Sequence, residues 1–198
     1  MKPKFSKYPN FLKLFSVVGN PNEPYFTMSF FKKLFGSDNK NLSDNKPDID
    51  KLLTSSDENN AIIEIDNYVS KLCSYGDTLD QLTESQKNFY FNQNLEREIN
   101  NGGFNQYFYN SSGDFAHDTI ISLQTIGANK TAYILQQAIN QFPNSSVPKD
   151  RIQRQDVLEE IESIANEVWN QLEQTFYKYE DNLNELHIEY IKQNRSSF

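Results

Sequence analysis

Six carboxylates in one stretch of the chain carry the first chemical possibility. Asp156, Glu159, Glu160, Glu162, Glu167 and Glu173 fall within "QDVLEEIESIANEVWNQLEQTFY", residues 155–177, which contains no Lys or Arg. At helical spacing all six lie in an arc of about 160°. Val157, Leu158, Ile161, Ile164, Ala165, Val168, Trp169, Leu172 and Phe176 occupy the opposite side. The pattern predicts a helix with a core face and an acidic outer face. A solvated helix ordinarily sets Lys or Arg four residues after Glu, worth about 0.2–0.5 kcal/mol per pair. That stabilisation is absent here, and Asp156 and Glu160 repel at i, i+4 instead. Such a row can hold the cations of a partner. Carboxylates three or four residues apart rise about 4.5–6 Å along the axis, whereas duplex DNA brings one phosphate per about 1.7 Å. One helix is too sparse to match that density, and two helices or a homodimer come closer.

Catalytic chemistry has little to draw on. His117 and His187 are the only histidines. Glu185 and Glu189 share a helix face at i, i+4, but His187 points nearly opposite, so the three make no metal site. His117 near Asp114 and Asp118 lacks a nucleophile or a further ligand. Cys73, the single cysteine, sits in a helical pattern with Tyr68, Val69 and Leu72 and reads as a buried structural thiol. No catalytic residue, metal site or cofactor is expected. One cysteine also excludes an internal disulfide and suits a reducing cytoplasm.

A second polar group lies in "INNGGFNQYFYNSSGD", residues 99–114. Gly102 and Gly103 read as a helix stop, with Gly102 expected in the left-handed region. Phe104, Tyr107 and Phe108 follow at i, i+3, i+4, the spacing of core anchors. Asn101, Gln106 and Asn110 are placed to serve the backbone groups freed at the helix ends. The alternative is a small-molecule-binding or enzymatic domain with a polar pocket at Asn101, Gln106, Tyr107 and Asn110. Open concave amides would favour the pocket, and satisfied ones the structural reading. Arg151 and Arg154, after "VPKD", are expected to order that loop by pairing with acids.

Charge separates the chain into two parts. Of 198 residues, 19 are basic and 27 acidic, for a net charge of −8. Residues 1–47 hold eight lysines and three acids, net +5, which leaves −13 on residues 48–198. So acidic a domain repels phosphates and is a poor direct binder of nucleic acid. It suits a basic protein partner, such as a DNA-binding transcription regulator or a toxin that it neutralises. Lys13 interrupts the only early apolar stretch, so the first 27 residues read as neither a signal peptide nor a membrane span. Met28 opens "MSFFKKLFGSDNK" and reads as the translation start. Its Phe30, Phe31, Leu34 and Phe35 with Lys32 and Lys33 can touch a membrane surface but are too short to anchor the chain.

Residues 1–56 are therefore expected to be a disordered extension and linker, with an acidic all-α domain over 57–198. Helices are predicted from Ile62 to Leu72; from Thr83-Glu-Ser-Gln86, a capping box, to Ile99; across Phe104 to Tyr109; across Ile120 to Ile126, capped by Ser112 or Asp114; across Ala132 to Ile139, capped by Asn129; from Arg151 to Tyr179; and from Leu183 to Lys192. No convincing alternating strand appears. The domain is read as a compact multi-helix bundle with a long C-terminal helix.

"REINNGGFNQYFYNSSGD", "TIGANKTAYILQQAINQF" and "FPNSSVPKDRIQR", followed by a Tyr- and Glu-rich tail, resemble a bacterial family. It is the domain-of-unknown-function family of the neisserial DNA-mimic type, with the signature Asn-Gly-Gly-Phe-x-Gln-Tyr-Phe-x-Asn. The resemblance covers about residues 60–192. It implies an all-α fold, and for the family's named member a dimer whose acidic surface imitates double-stranded DNA.

Overall fold

The computed structural model describes residues 46–198. The readings of Met28 and of the Phe30–Phe35 segment lie outside the described residues. Seven α-helices follow in order: α1 (Ile49–Leu53), α2 (Glu58–Leu72), α3 (Glu84–Tyr109), α4 (Ala116–Thr125), α5 (Asn129–Ile139), α6 (Arg151–Phe176) and α7 (Leu183–Gln193). There is no strand among the described residues, as the sequence predicts.

Local chemistry accounts for most of the helix starts. Thr83 accepts from the Gln86 N–H, and the Gln86 side chain accepts from the Thr83 N–H, so the capping box forms. The side chains of Asp48, Asp57, Asp150 and Asn182 cap α1, α2, α6 and α7 by accepting from the backbone N–H three residues on. Two expected caps do not form. α4 begins after Phe115 without a side-chain cap, because Asp114 turns to Arg154. α5 begins at Asn129 itself, and its Thr131 N–H donates to Asp181 Oδ2, 2.8 Å away, in the loop before α7.

Two apolar clusters hold the helices. The larger joins α3, α4, α5, α6 and α7 around Phe104, Phe108, Phe142 and Trp169. The Trp169 indole N–H is satisfied by the Ala138 carbonyl at 3.1 Å. The smaller joins α1, α2, the start of α3 and the end of α7 around Ile62, Ile65, Phe89 and Ile191. Cys73 is fully buried there, as read.

Packed structure begins ahead of residue 57, with α1 at Ile49–Leu53. Ile49 is buried in the smaller cluster, and Asp50 accepts from Arg195 at 2.6 Å. One isoleucine in a polar stretch is a faint signal, and burying it stabilises the fold by about 1.5–3 kcal/mol. On α6, Ile164 is also misplaced by the sequence reading, which put it in the core. It is 77% exposed, at the edge of the apolar arc beside Glu160.

Candidate interaction surface on the long acidic helix

α6 packs against α3 and α5 through Leu158, Ala165, Trp169 and Phe176. Its opposite side presents Asp156, Glu159, Glu160, Glu162 and Glu167, all exposed. None of these five has an ion-pair partner among the described residues. The pairs that do form lie elsewhere: Asp66 with Arg97, Asp114 with Arg154, Asp118 with Lys149, Glu180 with Lys130, Asp50 with Arg195 and Glu84 with Lys87. Carboxylates left bare on a chain that pairs others are a concentrated negative field. Glu162 differs slightly, since its Oε1 accepts from Asn105 Nδ2 at 2.8 Å.

Glu173, the sixth expected member of the row, has another task. It is half-buried, and its Oε1 accepts from the Phe104 N–H at 2.8 Å. Burial raises the pKa of its carboxyl, and that backbone bond opposes the rise. The bond follows from the glycine pair. α3 breaks at Gly102 (φ −152°, ψ 16°) and Gly103 (φ 76°, ψ −168°), leaving the Phe104 N–H without a helical acceptor. The left-handed φ belongs to Gly103 rather than Gly102, which corrects the expectation. The positive φ calls for glycine, and a Cβ on Gly103 would lie 2.2 Å from Glu173 Oε1, so a side chain there would also push that carboxylate off the Phe104 N–H.

The signature divides into buried anchors and a hydrogen-bonded rim. Phe104, Tyr107 and Phe108 are fully buried, and the Tyr107 hydroxyl donates to Thr119 Oγ1 at 3.0 Å. Burial pushes the Tyr107 phenol above its ordinary value. The amides converge on Glu98, a residue that the sequence reading missed. Gln106 Nε2 and Asn110 Nδ2 both donate to Glu98 Oε2, at 2.5 and 2.9 Å, and Ser112 Oγ donates to Oε1 at 3.2 Å. Exposed Asn101 donates in turn to Gln106 Oε1 at 3.2 Å. Two of the three amides thus meet one carboxylate and the third meets Gln106, the outcome that favours the structural reading over a pocket. The signal was available: three donor side chains need an acceptor, and Glu98 lies one turn before the glycines.

Arg154 orders the loop ahead of α6, as expected, and does more. It is fully buried and pairs with Asp114. Its Nε donates to the Phe108 carbonyl at 2.6 Å, Nη1 to Pro148 at 2.7 Å and Nη2 to Asn110 at 3.0 Å. One guanidinium therefore closes the end of the signature helix and the loop together. Arg151 is exposed.

The histidines make no catalytic set with their neighbours. His117 is exposed, and its Nε2 accepts from the Val147 N–H at 3.2 Å. His187 is fully buried, edge-on to Phe89, with Nδ1 3.3 Å from Gln93 Nε2. Burial lowers its pKa to about 4, against a backbone bond at Leu183 that raises it. No group of His, Cys, Asp and Glu among the described residues could hold a metal ion. No helix among them is long and apolar enough to cross a membrane.

No curated protein and no solved structure matches the chain. A family model, described as DMP19-like protein, matches residues 80–194, from the start of α3 through α7. That span holds the glycine break, Glu98, Arg154 and the bare face of α6. The chain belongs to the DMP19-like protein family, the DNA-mimic family that its signature resembles.

Proposed function

We propose that the protein is an acidic binding protein whose α6 outer face stands in for the phosphates of a DNA duplex and occupies the basic face of a DNA-binding regulator. The observation that carries this reading is the row of five exposed carboxylates with no cation among the described residues beside them. Asp156 to Glu167 spans about 16 Å at 1.5 Å per residue. That is long enough to face several phosphate-binding side chains and too sparse to imitate both strands. A homodimer that sets two such faces side by side would raise the charge density, and it belongs to the same reading. A basic toxin is the other partner class that this surface fits.

The test converts Glu159, Glu160, Glu162 and Glu167 to Gln, which keeps size and polarity and removes only charge. Immobilised wild-type protein should retain DNA-binding proteins at low salt and release them as the screening length shortens from about 10 Å at 0.1 M to 3 Å at 1 M. Duplex DNA should compete them off. The folded quadruple variant should retain none of them. Equal retention by both proteins would defeat the assignment to α6.

A further inference from the structure

Of the chain's 24 asparagines, Asn101 alone precedes a glycine. Gly102 has no Cβ to crowd its own nitrogen, so that nitrogen can approach the Asn101 side chain closely. The break in α3 therefore carries a reactive pair at a helix end. Both residues are exposed. Asn101 is the last residue before the break with helical φ and ψ, and Gly102 is the first to depart (φ −152°, ψ 16°). One partly buried side chain covers the pair. Gln106 Oε1 accepts from Asn101 Nδ2 at 3.2 Å, while Gln106 Nε2 donates to Glu98. The same Gln106 amide fills the space that a Cβ on Gly102 would take. It thus holds the Asn101 side chain and lies over Gly102 at once.

We infer that Asn101 is a modification site, which loses its side-chain amide spontaneously through a cyclic imide, and that Gln106 sets the rate. Hydroxide takes the Gly102 amide proton, and the nitrogen attacks Asn101 Cγ. An N–Cγ bond forms, the Cγ–Nδ2 bond breaks, and ammonia leaves with a proton from water, which restores the hydroxide. Water then opens the five-membered imide at either carbonyl, leaving aspartate or isoaspartate. The attack needs a turn at Asn101 that an intact helix does not allow, so it proceeds from brief openings of this helix end. Each opening must release Asn101 from Gln106. The product alters the signature. Aspartate at position 101 lacks the donor that Gln106 Oε1 accepts from, and it sets a carboxylate three residues after Glu98, a like-charge spacing that opposes the helix. Isoaspartate also lengthens the main chain by one carbon at the break.

The experiment incubates the full chain in mildly alkaline buffer and follows each asparagine by peptide mapping with mass spectrometry. In the folded wild type, Asn101 should react ahead of every other asparagine. Gln106→Met keeps the length of the side chain and removes its amide. It should speed the reaction at Asn101 by about two- to tenfold, the worth of a neutral hydrogen bond. Gly102→Ala sets a Cβ beside the attacking nitrogen and should slow the reaction strongly. In urea no helix holds Asn101, so the wild type and Gln106→Met should react at one rate, which assigns the native difference to the folded contact. A folded wild type that reacts first at another asparagine would overturn the site. Equal native rates for the wild type and Gln106→Met, or unequal rates in urea, would overturn the part given to Gln106.

Discussion

α3 and α6 are both 26 residues long, yet they handle polar side chains in opposite ways. α3 is broken by a glycine pair and buries Gln86, Asn92, Gln93, Asn94 and Glu96. α6 runs unbroken, buries one charged residue, Arg154, and keeps its carboxylates outside. The difference shows where polar groups are structural. On α3, Gln93 reaches His187 of α7, Gln86 closes the helix's own capping box, and the neighbouring Glu98 gathers the signature amides. Those on the outer face of α6 hold almost nothing within the described residues, so selection on the fold alone gives them no reason to be acidic. Arg154 and Glu173 are charged residues of α6 that turn inward, and both serve the backbone of the segment after the glycines.

If that division holds, the largest loss should come from Arg154. Arg154→Ala strands Asp114 and the four backbone carbonyls of Phe108, Asn110, Pro148 and Lys149, and should cost about 3–5 kcal/mol. Thermal unfolding should show a Tm fall of about 10 °C in a domain of this size. A fall of only a degree or two would place Arg154 with the surface charges.

A somewhat smaller effect follows from His187. Its folded pKa is about 4 against an ordinary value of 6.5, so the unfolded chain takes up a proton first as the pH drops. The neutral, buried ring therefore contributes full stability above pH 6.5 and loses it toward pH 4, about 3 kcal/mol in all. Glu173, with its raised pKa, works against this trend at acidic pH. Urea unfolding at pH 7 and 4.5 should reveal the slope. The same slope in His187→Gln would assign it to other groups.

Gly103→Ala comes next, at about 2 kcal/mol or more, from a positive φ and a clash with Glu173. Gly102→Ala should cost less, since its φ is negative, although its Cβ would crowd the Gln106 side chain. Chemical denaturation of the two variants side by side would reverse the assignment if Gly102→Ala proved the costlier.

The smallest expected change is on the outer face of α6. Conversion of Glu159, Glu160, Glu162 and Glu167 to Gln should move stability by no more than about 0.5 kcal/mol per site, the range for surface substitutions. A cooperative loss of several kcal/mol in calorimetry would mean that these carboxylates are structural after all.

The helices were legible because apolar residues recur at helical spacing and because Thr83 and Gln86 mark a start. The bare acids of α6 were legible because no Lys or Arg lies among them. What the chain concealed depends on contacts between distant residues. Glu173 shares its spacing with the outer acids, and only the Phe104 N–H across the glycine break draws it inward. Which glycine takes the positive φ depends on that same contact. Ile49 is one apolar residue in a polar run, and its burial requires α2 and α7 to be in place. His187 lies opposite Glu185 and Glu189 on its helix, so its inward direction could be read, but not the depth of its burial.

The unneutralised side of α6 also bears on how fast a partner arrives. Among the described residues, the six ion pairs that form leave this row of five carboxylates unneutralised. On the proposed reading of α6, a basic partner approaching from solution is drawn toward it before any contact forms, and a field of this kind raises encounter rates by about 10- to 1000-fold at low ionic strength. Removing those carboxylates should therefore show first in the association phase, with salt mimicking the same slowing, while the lifetime of a complex once formed is set by the side chains at its centre.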